Sequence, residues 1–175
     1  PPSLLLPFAR ARIQPIFVQP LPLAMNTLQI AQELVRRASV NPLHDPNSTG
    51  ENTVVDWLEE WGHNQKLETL REAVLPERDN ISFTITNGKG PHLLLNGHTD
   101  TVSVAGMDIE PFSGEVREEK LWGRGSTDMK GPLACMLSTL LQLRERNDWK
   151  GSVTVGCVVD EETEFQGILK LIEDH

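Results

Sequence analysis

The stretch Leu93-Leu94-Leu95-Asn96-Gly97-His98-Thr99-Asp100-Thr101 constrains this chain most, because an apolar run ends directly in a histidine and a carboxylate two residues apart. Three leucines in a row, without polar alternation, are the expectation for a central strand covered on both faces. A second apolar run over 153–159 ends in Asp160-Glu161-Glu162. Between them, Gly123-Arg124-Gly125-Ser126-Thr127-Asp128-Met129-Lys130-Gly131 carries another carboxylate to the mouth of a helix that has Pro132 in its first turn. Ligand crevices in open α/β sheets lie beyond the carboxyl ends of strands. The histidine motif and the acidic motif are therefore predicted to meet at one edge of one sheet.

The remaining pattern supplies the frame. Leu28, Ala31, Leu34, Val35 and Ala38 share one face of a helix that Asn41-Pro42 stops, and a Pro/Asn/Asp/Ser-rich loop follows over 41–48. Ser48 and Glu51 have capping-box spacing before a helix with the stripe Val54, Val55, Leu58 and Trp61, and Gly62 is positioned to end it. Strands are predicted over 66–74, 81–86 and 92–96, and a short hairpin joins 115–117 to 120–122. Leu133, Met136, Leu137, Leu140 and Leu143 mark a further helix, and 165–172 marks another. This order predicts an α/β fold: a mixed, largely parallel sheet with helices on both faces.

Residues 1–24 differ in kind. Pro1, Pro2, Pro7, Pro15, Pro20 and Pro22 interrupt every apolar stretch, so a poorly ordered Pro-rich extension is expected before Met25. With 175 residues and a formal charge of -9, the chain is long enough for one cored domain and too acidic for a nucleic-acid or anionic-membrane partner. No apolar run is long enough to span a bilayer. Cys135 and Cys157 lack the spacing of a zinc knuckle or redox pair; both are expected to be reduced, buried and small, which fits a cytoplasmic protein.

Each motif has a plain structural reading beside the chemical one. His98 with Asp100 can be a satisfied loop histidine near a capping aspartate, or a metal ligand whose second ring nitrogen is oriented by a carboxylate. Asp128 can be an N-cap. Glu161 and Glu162 can be a solvated strand end. Taken together, however, the three strings resemble the zinc-dependent amidohydrolase family that includes acetylornithine deacetylase, succinyl-diaminopimelate desuccinylase, aminoacylase and glutamate carboxypeptidase. The opening segment 33–42 and the segment 106–112 look most like the acetylornithine deacetylases and their desuccinylase relatives.

That resemblance implies a ligand set of His98, Asp128 and Glu162, with Asp128 bridging two divalent ions, zinc or else cobalt or manganese. It implies Glu161 as general base and Asp100 as the group orienting His98, and amide hydrolysis of an N-acyl amino acid or dipeptide. Residues 25–175 then correspond to the N-terminal portion of the catalytic domain. Family members are longer, adding further ligands and a lid domain through which a homodimer would form, so this chain alone is expected to be inactive. The competing expectation is a catalytically dead remnant that serves as a folded interaction module.

Overall fold

A computed structural model describes residues 25–173; the Pro-rich segment 1–24 lies outside the described residues. The first helix, α1 (Thr27–Arg36), starts at a capping box in which Asn26 and Gln29 bond each other's backbone N–H groups. The second, α2 (Asn52–Asn64), is followed by the strands β1 (Glu68–Leu75), β2 (Arg78–Asn87) and β3 (His92–His98). The hairpin β4 (Glu115–Arg117) and β5 (Lys120–Trp122) precedes α3 (Lys130–Arg144), β6 (Gly151–Val158) and α4 (Gln166–Glu173).

The main sheet has the order β1-β2-β6-β3, with β1–β2 and β2–β6 antiparallel and β3–β6 parallel. The α/β class and the mixed sheet agree with the sequence pattern, but the largely parallel sheet does not, because two of its three pairings are antiparallel. The tight connection between β1 and β2 makes them a hairpin, which must be antiparallel. Nor is β3 central among the described strands: it lies at the edge, and Leu93 is exposed.

Alternation along the strands divides the sheet into two faces. Ile81, Phe83 and Ile85 of β2 and Val153, Val155 and Cys157 of β6 join Leu34, Leu58, Leu133 and Leu137 from α1, α2 and α3 in one core. Trp61 meets Phe83 edge to face, with ring centroids 5.5 Å apart. Each such fully buried apolar side chain contributes on the order of 1.5–3 kcal/mol. The opposite face carries Asn80, whose amide donates to the Gly167 carbonyl and so ties α4 beneath the sheet. Helices thus cover both faces.

Two local expectations are corrected. Glu51 occupies the N-cap position of α2, yet its side chain caps nothing there; it turns inward to Arg78. Helix α2 also runs through Gly62 to Asn64. Gly62 is needed for close approach instead, since a Cβ there would stand 2.3 Å from Phe83.

Candidate metal centre

Register places the two motifs side by side. Strands β3 and β6 run parallel with His98 opposite Val158, so 98–101 and 159–162 leave the sheet together. The segment 39–41 is zipped to 99–101: Asn41 N donates to Thr101 O and Thr101 N to Ser39 O, each at 2.9 Å. The third motif arrives from the glycine-rich turn before α3. Gly125 holds a left-handed φ of 77°, and a Cβ there would press to 2.8 Å from the Thr101 methyl.

These elements bring His98, Asp128 and Glu162 together, with one donor atom from each lying within 4.8 Å of the others. His98 Nε2 is 3.1 Å from Asp128 Oδ1 and 3.5 Å from Glu161 Oε2. The other ring nitrogen, Nδ1, lies 2.9 Å from the main-chain oxygen of Asp100 and 3.4 Å from its carboxylate. Both groups therefore orient the imidazole, the carbonyl more closely. A ring whose Nδ1–H is donated in this way leaves Nε2 free to face a cation.

The Asp100 carboxylate is fully buried and faces the acidic motif. Its Oδ1 accepts from Glu161 N at 3.1 Å, and its Oδ2 accepts from Glu162 N at 3.1 Å and Asn41 Nδ2 at 2.8 Å. Asp128 is no helix cap: α3 has Met129 at its N-cap and no side-chain cap bond. Its side chain is 78% exposed and points to the histidine.

The electrostatics favour a cation. Burial alone would push His98 down, but the hydrogen bond and charge of Asp100, then Asp128 and Glu161, hold it up at about 9. Burial raises Glu162; His98 opposes this, while repulsion from Asp128, Asp100 and Glu161 adds to it. Burial is also the largest influence on Asp100 and opposes its ionisation, yet His98, Asn41 and the Glu162 amide together hold its carboxyl below the ordinary range. One imidazole nitrogen and carboxylate oxygens form a donor set that suits zinc and its neighbours, and so much negative charge in one place gains from a divalent ion.

Residues outside the expected ligand set complete the surroundings. Asn41 had read only as a helix stop, yet its amide also reaches Asp160 and Thr163, each at 3.1 Å. His44 Nε2 lies 3.2 Å from the Glu162 carbonyl oxygen. Glu51 and Arg78 form a buried bidentate pair, and Arg78 extends to Asp160. Lys130 is a structural group: it is fully buried, donates to Arg37 O at 2.7 Å, and is pushed down to about 7 by burial. Of the cysteines, Cys157 is buried as expected, whereas Cys135, also expected to be buried, is exposed.

Comparison with known proteins points the same way. Residues 94–175 match peptidase family M20/M25/M40. The chain is 34% identical over 154 residues to a succinyl-diaminopimelate desuccinylase of Bradyrhizobium sp., covering 85% of this chain and 39% of that protein. It is 36% identical, with the same coverage, to the desuccinylase of Methylorubrum extorquens. It thus spans about two fifths of the length of these curated relatives. Among solved structures it superposes on an M20 family metallo-carboxypeptidase from Sulfolobus solfataricus with a TM-score of 0.74 and 19% identity, covering 86% of this chain and 34% of that one. A dinuclear metal binding peptidase of the same family from Bacillus subtilis gives a TM-score of 0.58 at 18% identity, covering 84% of this chain and 38% of that one.

Proposed function

We propose, from the match of residues 94–175 to peptidase family M20/M25/M40 and the likeness to the desuccinylases, that the chain carries half the catalytic machinery of a metal-dependent amidohydrolase acting on an N-acyl amino acid of the desuccinylase or deacetylase type. The observation that carries this reading is the convergence of His98, Asp128 and Glu162 beside the carboxylate of Glu161. The dinuclear relative supports two ions: His98 and Asp128 would hold one, and Asp128 and Glu162 the other. When bound, they supply Lewis-acid polarisation of the scissile carbonyl and acidification of water.

The chain's own groups do the rest. Glu161 takes the proton of the attacking water on its carboxylate and returns it to the leaving nitrogen. Asp100 holds the imidazole of His98 in one orientation and fixes the backbone of both glutamates. Burial pushes the Cys157 thiol far up, so it offers no thiolate for covalent acyl transfer.

The test is made in a protein that includes the downstream region present in the relatives. Glu161→Gln should keep its metal and lose roughly 10²- to 10⁴-fold in turnover of N-succinyl or N-acetyl amino acids. Glu162→Gln should lower metal content instead. The reverse pattern would exchange the two roles. In the 175-residue chain each ion would have two protein ligands, against about three for a catalytic zinc. Weak zinc binding and no turnover are therefore expected of it. A longer protein that also binds no metal would favour the interaction-module reading.

A further inference from the structure

Glu51 and Arg78 are buried, paired through the guanidinium Nε and Nη2, each at 2.7 Å, and distant in sequence from every motif of the metal centre. Breaking such a pair is costly, but the pair itself is weak grounds for stability, because an apolar replacement of the same volume serves the core as well. Its partners show what it does serve. Arg78 Nη2 continues to Asp160 Oδ1 at 3.0 Å, and Glu51 Oε1 accepts from Asp160 N at 3.2 Å. Asp160 has a left-handed φ of 67°, uncommon for a residue with a Cβ although Asp adopts it more readily than most.

Its hydrogen bonds hold it there. Besides Arg78, Oδ1 accepts from Thr163 Oγ1 at 2.7 Å and Asn41 Nδ2 at 3.1 Å, while the Asp160 carbonyl accepts from Phe165 N at 2.8 Å. The turn made there aims the next two amides, those of Glu161 and Glu162, at the two oxygens of Asp100. Asn41 closes the loop by donating to Asp100 as well as to Asp160. A continuous chain of contacts thus runs from the start of α2 through β2 to both glutamates.

We propose that Glu51, Arg78 and Asn41 are positioning residues of the metal centre, holding Asp160 in the turn that sets Glu161 and Glu162 against Asp100. The proposal rests on the functional reading above for the roles of the two glutamates. It does not depend on it for the placement of their backbone.

Both halves can be measured separately in the 175-residue chain. The variants are Asn41→Ala and the paired replacement Glu51→Leu with Arg78→Met, which removes both charges together. Amide hydrogen exchange at Glu161 and Glu162 should accelerate in both variants. Zinc affinity, measured by competition with a chromophoric chelator, should fall roughly 10- to 100-fold, the usual cost of losing a group that orients ligands. In a Glu162→Gln background the same replacements should weaken zinc little further. A core control, Phe83→Leu, should lower the melting temperature and leave both readouts unchanged.

Folded variants with wild-type exchange at these two amides and wild-type zinc affinity would overturn the proposal. So would losses as large in the Glu162→Gln background, or loss of the fold in both variants, which would make the network structural only. If wild-type zinc binding proves indifferent to His98→Ala, the metal reading fails, and the exchange rates still decide the positioning.

Discussion

The hairpin of β1 and β2 carries two arginine clusters that share a chemistry and differ in surroundings. Arg71 reaches Asp56, Glu59 and Asp79 at 2.7–2.9 Å from a position where its side chain is 27% exposed. Arg78, at the start of β2, reaches Glu51 and Asp160 at 2.7–3.0 Å with both carboxylates buried. Counted as ion pairs, the outer cluster is the richer. Water reverses the ranking, because exposed charges lose little when separated, whereas a buried charge left alone keeps its full desolvation cost. The number of charge contacts on this hairpin thus says little about their importance, and the inner cluster is the one joined to the candidate metal centre.

Three substitutions test this contrast. Arg78→Met alone should cost about 3–5 kcal/mol in chemical denaturation, since it strands Glu51 and Asp160 without their cation. A cost below about 1 kcal/mol would show that the inner pair is as well hydrated as the outer one. Arg71→Ala should cost about 1 kcal/mol or less, and the loss should shrink further as salt is raised. Asp128→Ala should change stability least, by about 0.5 kcal/mol or less, because the side chain is mostly exposed and bonds to His98 at 3.1 Å. The same variant should nonetheless lose most of the zinc affinity, and retention of wild-type affinity would remove Asp128 from the ligand set.

A fourth measurement uses the cysteines as probes of the same contrast between rim and interior. Burial pushes the Cys157 thiol far up, so it stays protonated and unreactive at neutral pH, while Cys135 is exposed. An alkylating reagent should label Cys135 in the native chain and reach Cys157 only after unfolding. Equal labelling of both would mean that the sheet opens readily at β6.

Much of the frame was legible in the chain itself. The short hairpin over 115–117 and 120–122 forms at the residues its pattern marked, and the stripes of α2 and α3 pack into the core. Of the stripe expected for the first helix, Ala31, Leu34 and Val35 are buried, whereas Leu28 is exposed and Ala38 lies exposed beyond the end of α1. The meeting of the histidine and acidic motifs was also legible, since two strands that both end in ligand-type residues place them together when they pair in parallel. The position of β3 at the sheet edge was not. A leucine run reports how apolar a strand is, and which neighbours it receives is set by strand order. Nor did the motif string show that the Asp100 carboxylate would turn to the amides of the opposite loop, leaving its own carbonyl nearer to His98.

Sequence alone therefore determined the residue types at the centre and the direction from which each arrives, because period, turn chemistry and capping act over a few neighbouring residues. Tertiary structure decided the partners. Glu51 has capping spacing and instead binds Arg78, 27 residues away, while Asn41 stops a helix and also holds Asp160, 119 residues away. A polar side chain carries no local mark of such a choice. Once packing has excluded water, each buried donor or acceptor must find whatever partner the fold has brought within reach, and that requirement selects the pairing.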